Sequence, residues 1–171
     1  MRNFFMLLLV ALTILNFFVY TNSPDRVAGQ FGPGGRPTSW MSRETQFFLM
    51  QGLELFLFLL FTFIPELIVR TPVQWVNMPH REFWLAPENR SATKAKLAVL
   101  MAEMGVYLFL FFGALTLILS AANRSETVRL HMSDFWMTLA AFLGSTAFWS
   151  IKFYRTFRKP EHPEFGHPPA L

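Results

Sequence analysis

Four apolar runs, Asn3–Tyr20, Phe47–Ile64, Leu97–Ala121 and Phe135–Phe153, divide the chain, with polar stretches rich in proline and glycine between them. The apolar residues are concentrated in blocks rather than spread along amphipathic stripes, the pattern of helices immersed in lipid. A helix crosses the hydrocarbon of a bilayer with roughly 17–25 mostly apolar residues. The pattern therefore predicts an all-α fold, a four-helix transmembrane bundle. Residues 1–157 form a single membrane domain with spans of about 3–20, 47–64, 97–121 and 135–153. The Pro-rich stretch 158–171, "RKPEHPEFGHPPAL", reads as a disordered tail.

Local signals refine these limits. Ser42 is placed to cap the second helix, Ser91 the third, and Ser133 or Asp134 the fourth. Pro65 should end or kink the second span, leaving "ELIV" along the interface. Ala140, Ala141, Gly144, Ser145 and Ala147 form a small-residue face suited to close helix packing inside the bundle. The loop 21–46 holds a Pro24-Asp25 pair, a β-compatible run Arg26–Phe31 and a Gly32-Pro33-Gly34-Gly35 turn, followed by Pro37 and Trp40. It predicts a compact ordered loop with Trp40 at the headgroup level. In "WVNMPHREFWLAPENR", Trp75–Arg90, Pro79 and Pro87 forbid a continuous helix, while Trp75, Phe83 and Trp84 suit the membrane–water boundary. An interfacial hook is expected there, with the charges of Arg81, Glu82, Glu88 and Arg90 in water or paired.

Composition agrees with a membrane protein: 53% of residues are hydrophobic and 15% charged, against about 25% charged in soluble domains. The absence of cysteine excludes disulfides, thiolate metal sites and thiol catalysis. A net charge of +4 would suggest nucleic acid on a soluble protein. Here the basic residues flank apolar runs, so they read as topology signals and contacts to the lipid bilayer. Ten Lys and Arg fall at the amino end, in loop 65–96 and from Lys152 onward, against five in loops 21–46 and 122–134. The basic excess marks the cytoplasmic side, so both termini are expected there. The first apolar run exceeds the roughly 7–15 residues of a signal-peptide core and predicts an uncleaved helix. Asn89-Arg90-Ser91 and Asn123-Arg124-Ser125 match the glycosylation pattern, but lie in consecutive loops on opposite sides and read as chance matches.

Candidate chemistry centres on two carboxyl groups inside the spans. Glu54 lies nine to twelve residues into the second helix, about 13–18 Å deep. Glu103 lies seven to ten residues into the third. Antiparallel neighbours could bring the two to one depth, and no Lys, Arg or His is expected beside them to neutralise them. A lone carboxylate in hydrocarbon is costly, so at least one is expected to be neutral or hydrogen-bonded to Asn16, Gln51 or Tyr107. Thr13, Asn16 and Tyr20 form a polar stripe on the first helix that can face the pair. The histidines offer pairs, His80 with Glu82 and His131 with Asp134, and a tail group of His162, Glu164 and His167. These fall short of the convergent ligands zinc needs, and the glycines lack a phosphate-loop or dinucleotide context. No metal, cofactor or catalytic group is expected.

The two loops resemble a known family. "SPDRVAGQFGPGGRPTSWMSR" resembles the SdpI-like bacterial membrane proteins, whose loop typically reads "LPDRVATHF…GQPDGWMSR". "VNMPHREFWLAPENR" is similar to the "NLPNRDYWLAPERR" of related members. The first match rests on Pro24, Asp25, Arg26, Val27, Ala28, Phe31, Gly35, Trp40, Met41 and Ser42. The second rests on Pro79, Phe83 as the aromatic before Trp84, then Leu85, Ala86, Pro87 and Glu88. The usual Thr-His of the first loop is Gly29-Gln30 here. The resemblance implies a multi-pass protein of the bacterial inner membrane. The family's best-described member gives immunity to a secreted toxic peptide and signals through a soluble regulator. It thus implies a non-enzymatic sensor, immunity or accessory factor, with a peptide ligand on loop 21–46 and a protein partner on loop 65–96. The competing readings are a transporter or channel component using Glu54 and Glu103 and, third, a membrane enzyme.

Overall fold

The computed structural model describes residues 2–158. The expected disordered tail and its His162, Glu164, His167 group lie outside the described residues, apart from Arg158. The elements run α1 (Arg2–Thr21), β1 (Arg26–Phe31), β2 (Pro37–Ser42), α2 (Arg43–Arg70), a 3-10 turn (Val73–Trp75), α3 (Arg81–Trp84), α4 (Arg90–Arg124) and α5 (Met132–Thr156). Three of them, α1 from Asn3, α2 and α4, are long and apolar enough to cross a membrane. The fourth apolar run forms α5, a helix of 25 residues that is not among those three. The architecture is mostly helical but not all-α, because β1 and β2 form an antiparallel hairpin.

Helix α4 is the central post, packed against α1, α2 and α5. Its 35 residues reach about 52 Å at 1.5 Å per residue, well beyond a hydrocarbon core of about 30 Å. Both ends meet folded loops. Between α1, α2 and α4 lies a core of Phe5, Leu12, Ala102, Val106 and Phe109. Phe5 lies directly on Gly105, where an added Cβ would come within 2.5 Å of its ring. The α4–α5 contact includes stacked Phe111 and Phe142 and the Trp149 indole N–H, which donates to the Leu100 carbonyl at 2.8 Å.

Several local expectations are met and others corrected. Ser42 caps α2, its hydroxyl accepting from the Thr45 amide at 3.1 Å. Ser91 caps nothing: α4 starts at Arg90 behind Asn89, whose amide donates to the Phe83 carbonyl at 2.9 Å. Similarly α5 starts behind His131, before Ser133 and Asp134. Pro65 does not end α2, which runs to Arg70 with Pro65 buried inside it. Membrane helices tolerate an internal proline when neighbouring structure compensates for the missing amide. The small-residue face of α5 is not the packing face. Ala140, Ala141, Gly144 and Ala147 are exposed, and an added Cβ on Gly144 would meet nothing within 4 Å. Bulky Phe142, Trp149 and Phe153 make the contacts instead.

Candidate functional site

The polar groups of the bundle fall at three levels. The middle level begins with spacing: Thr13 and Asn16 are three residues apart on α1, as are Gln51 and Glu54 on α2, so each pair shares a helix face. The Asn16 amide donates to Glu54 Oε2 at 2.9 Å, and the Gln51 amide donates to the Thr13 hydroxyl at 2.8 Å. From α4, the Thr116 hydroxyl donates to Asn16 Oδ1 at 3.3 Å. Glu54 is 0% exposed. A cavity beside this seam is lined by Asn16, Tyr20, Ser23, Arg43, Gln46 and Thr116, pointing toward the hairpin.

Glu103 belongs to a different level. Its Oε1 accepts from the Tyr107 hydroxyl at 2.9 Å and its Oε2 from Lys152 Nζ at 2.6 Å. The expectation that no cation reaches the intramembrane carboxyls fails here, because Lys152 lies inside the fourth apolar run and pairs with Glu103 across the α4–α5 contact. Nor do the two glutamates meet. Glu54 is bonded at the level of Thr116, thirteen residues along α4 from Glu103, which is about 20 Å.

At the hairpin end, Asn123 holds the sheet. Its Oδ1 accepts from the Ala28 amide at 2.6 Å, while its Nδ2 donates to the Ala28 and Leu119 carbonyls at 3.2 and 3.0 Å. Ala28 is fully buried and precedes a bulge at Gly29 in the register with β2. The Leu130 amide donates to the Gly35 carbonyl at 2.8 Å and Arg129 Nε to the Gly34 carbonyl at 3.1 Å, joining loops 21–46 and 125–131. Gly34 and Gly35 take φ values of 82° and 76°. At Gly35 a Cβ would fall 2.0 Å from the Leu130 carbonyl oxygen, so the turn requires glycine on both counts. Arg43 ties the hairpin to the bundle: it pairs with Asp25 at 3.3 Å, donates to the Ser23 carbonyl and lies over the Tyr20 ring at 5.5 Å. Of the loop signature, Pro24, Asp25 and Arg26 are exposed, Phe31 is half-buried, and Trp40 stands out at the surface. Asn123 is only 6% exposed and committed on both amide atoms, which leaves it inaccessible to glycosylation.

At the other end the expected interfacial hook is a folded cap with its own core. Val69, Val76, Met78, Trp84, Leu85, Leu97, Leu100 and Phe157 are buried together. Trp84, expected at the membrane boundary, is 6% exposed and inside this core. Its indole N–H donates to the Phe157 carbonyl at 2.8 Å, Phe83 and Phe157 meet it edge-on, and Lys96 Nζ lies 4.2 Å above the ring. Buried Thr93 donates to the Trp84 carbonyl at 2.6 Å. Trp75, by contrast, is 77% exposed. Arg81 bonds the Gln74 and Val76 carbonyls and pairs with Glu82 at 3.1 Å. The amide of Glu82 itself, in the first turn of α3, and then Arg81 hold that carboxyl below its usual range. Pro79 is half-buried, whereas Pro87 and Glu88 are exposed. Glu66 links Arg70 and Lys94, bridging α2 to α4.

Sequence reasoning missed Asn123, Thr116, Lys152 and Phe157. Asn123 carried a signal, as a polar residue at the end of an apolar run, but it was absorbed by the glycosylation pattern. No curated protein and no solved structure matches the chain. A family model described as a domain of unknown function (DUF1648) matches residues 7–55, a stretch that holds α1 from Leu7, the whole hairpin and α2 through Leu55.

Proposed function

We propose that this multi-pass membrane protein is a non-enzymatic sensor or immunity-type factor of the bacterial inner membrane. The hairpin receives a peptide ligand outside, and the cap of residues 71–89 meets a protein partner inside. The observation that carries the reading is that α4 is fastened at each end to a separately folded loop. Asn123 grips Ala28 at one end, and Thr93 and Leu97 pack into the Trp84 cap at the other. A rigid helix locked to two surface elements is a physical means of tying their positions together.

In this reading α5 is a fourth span. Its 25 residues amount to about 37 Å, and Glu103 compensates its Lys152. The resemblance of both loops to SdpI-like proteins supports the assignment, and so does the placement of loops 21–46 and 125–131 at one end of the bundle. Reporter fusions in the loop at Thr127 should report the outside, and fusions after Leu171 the cytoplasm; the reverse would sink the orientation. Coupling has its own measurement. Asn123→Ala should speed amide hydrogen exchange in the distant segment 76–86 as well as in the hairpin. Faster exchange confined to the hairpin would remove the sensor reading.

A further inference from the structure

Two acceptor oxygens stand unpartnered inside the middle seam. Glu54 Oε1 and Gln51 Oε1 are both shielded from solvent and accept no hydrogen bond. The donors around them are committed elsewhere: the Asn16 amide to Glu54 Oε2, the Gln51 amide to Thr13, the Thr13 hydroxyl to the Leu9 carbonyl and the Thr116 hydroxyl to Asn16. A carboxylate here would keep its full charge with one oxygen unsolvated, which is the costly way to bury such a group.

The charged and titratable groups facing this level from each packed element offer no counterion. On α1 the nearest is Tyr20, and on α2 it is Arg43, already paired with Asp25 and Glu44. On α4, Glu103 and Tyr107 are bonded to each other, and Glu103 to Lys152 of α5. A single added hydrogen would supply a donor where both oxygens lack one. Gln51 and Glu54 share a face of α2, so a proton on Glu54 Oε1 would make it a donor to Gln51 Oε1. A hard metal cation would instead need several converging oxygens and room among them. The adjoining cavity is lined by Asn16 and Thr116 but not by Glu54 or Gln51.

We propose that Glu54 is an intramembrane proton-binding site, a neutral carboxylic acid whose hydroxyl donates to Gln51, loaded from the hairpin end. The cavity past Tyr20, Ser23 and Gln46 measures about 20 Å³ and ends at Asn16 and Thr116, enough for one water a single side chain short of Glu54. Loading transfers a proton from hydronium to Oε1 and leaves water. Unloading leaves a carboxylate held by Asn16, so the α1–α2–α4 seam must admit further donors and loosen. The site would thus make the position of α1 sensitive to pH on the hairpin side.

Infrared difference spectroscopy of the purified full chain near neutral pH tests this, subtracting Glu54→Gln from wild type. The expected result is a neutral carboxylic-acid carbonyl band present in wild type, absent from Glu54→Gln and lowered in frequency in D2O. In Gln51→Leu, which loses the acceptor, that band should move to higher frequency, and this variant keeps the test alive if Glu54→Gln does not fold. Carboxylate bands alone near neutral pH would overturn the proposal. Carboxylate bands that shift between sodium and choline buffers would overturn it in favour of a bound cation, and an unmoved band in Gln51→Leu would remove Gln51 as the partner.

Discussion

Asn123→Ala is expected to unfasten the hairpin and destabilise the protein by about 2–4 kcal/mol, since each buried group left unsatisfied costs about 1–3 kcal/mol. The substitution removes both bonds to Ala28 and leaves that residue's amide and carbonyl buried without their Asn123 partners. For a chain of this size each kcal/mol lowers the melting temperature by roughly 2–4 °C. Arg124→Ala, at an exposed neighbour, serves as the control and should stay within about 0.5 kcal/mol. A local readout accompanies the global one. Arg36 lies exposed in the hairpin turn, so trypsin should cut after it faster in the variant. A melting temperature matching the Arg124→Ala control, with unchanged cutting, would show that the hairpin holds its place without Asn123.

That clamp marks where the sequence stops being legible. The apolar runs placed the long helices because burial in lipid demands length and hydrophobicity, and both are visible residue by residue. β1 was legible at Arg26–Phe31, and so was the glycine turn, since positive φ angles leave a compositional trace. β2 was not: "PTSWMS" begins with proline and has little of the β-branched character that marks strands, and it is a strand because β1 pairs with it. Helix starts at Arg90 and Met132 were missed because no side chain caps them, so no cap residue could announce them.

The candidate site was legible in its parts and not in its pairings. Asn16, Gln51 and Tyr107 stood as partners for the two carboxyls as a group: Asn16 bonds Glu54 and Tyr107 bonds Glu103, whereas the Gln51 amide goes to Thr13. The depth argument for bringing Glu54 to Glu103 failed because it aligned the spans by their apolar ends. α4 overruns its apolar segment by about two turns at the cap, which shifts Glu103 toward Lys152 instead. Depth in a bundle follows from which side chains interlock, and the stagger of helices is a tertiary fact.

Trp84→Ala is expected to cost about 3–5 kcal/mol, the range for removing a buried aromatic, and to loosen the cap as a unit. The ring supplies edge contacts to Phe83 and Phe157, carries Lys96 on its face, and through its N–H holds the last turn of α5 at Phe157. Trp84→Phe separates these contributions, because it keeps most of the packing and loses the N–H bond, for about 1–2 kcal/mol. Trp75→Ala is the counterpart at an exposed site, and in detergent it should change stability by less than about 0.5 kcal/mol. Its effect belongs to the bilayer, where an exposed indole settles at the boundary and its loss should change the depth of the cap rather than its folding. The expected order of destabilisation is Trp84→Ala, then Trp84→Phe, then Trp75→Ala. Equal stability of the two alanine variants would mean that residues 71–89 are a surface hook anchored by lipid, and that the core around Phe157 does not hold them.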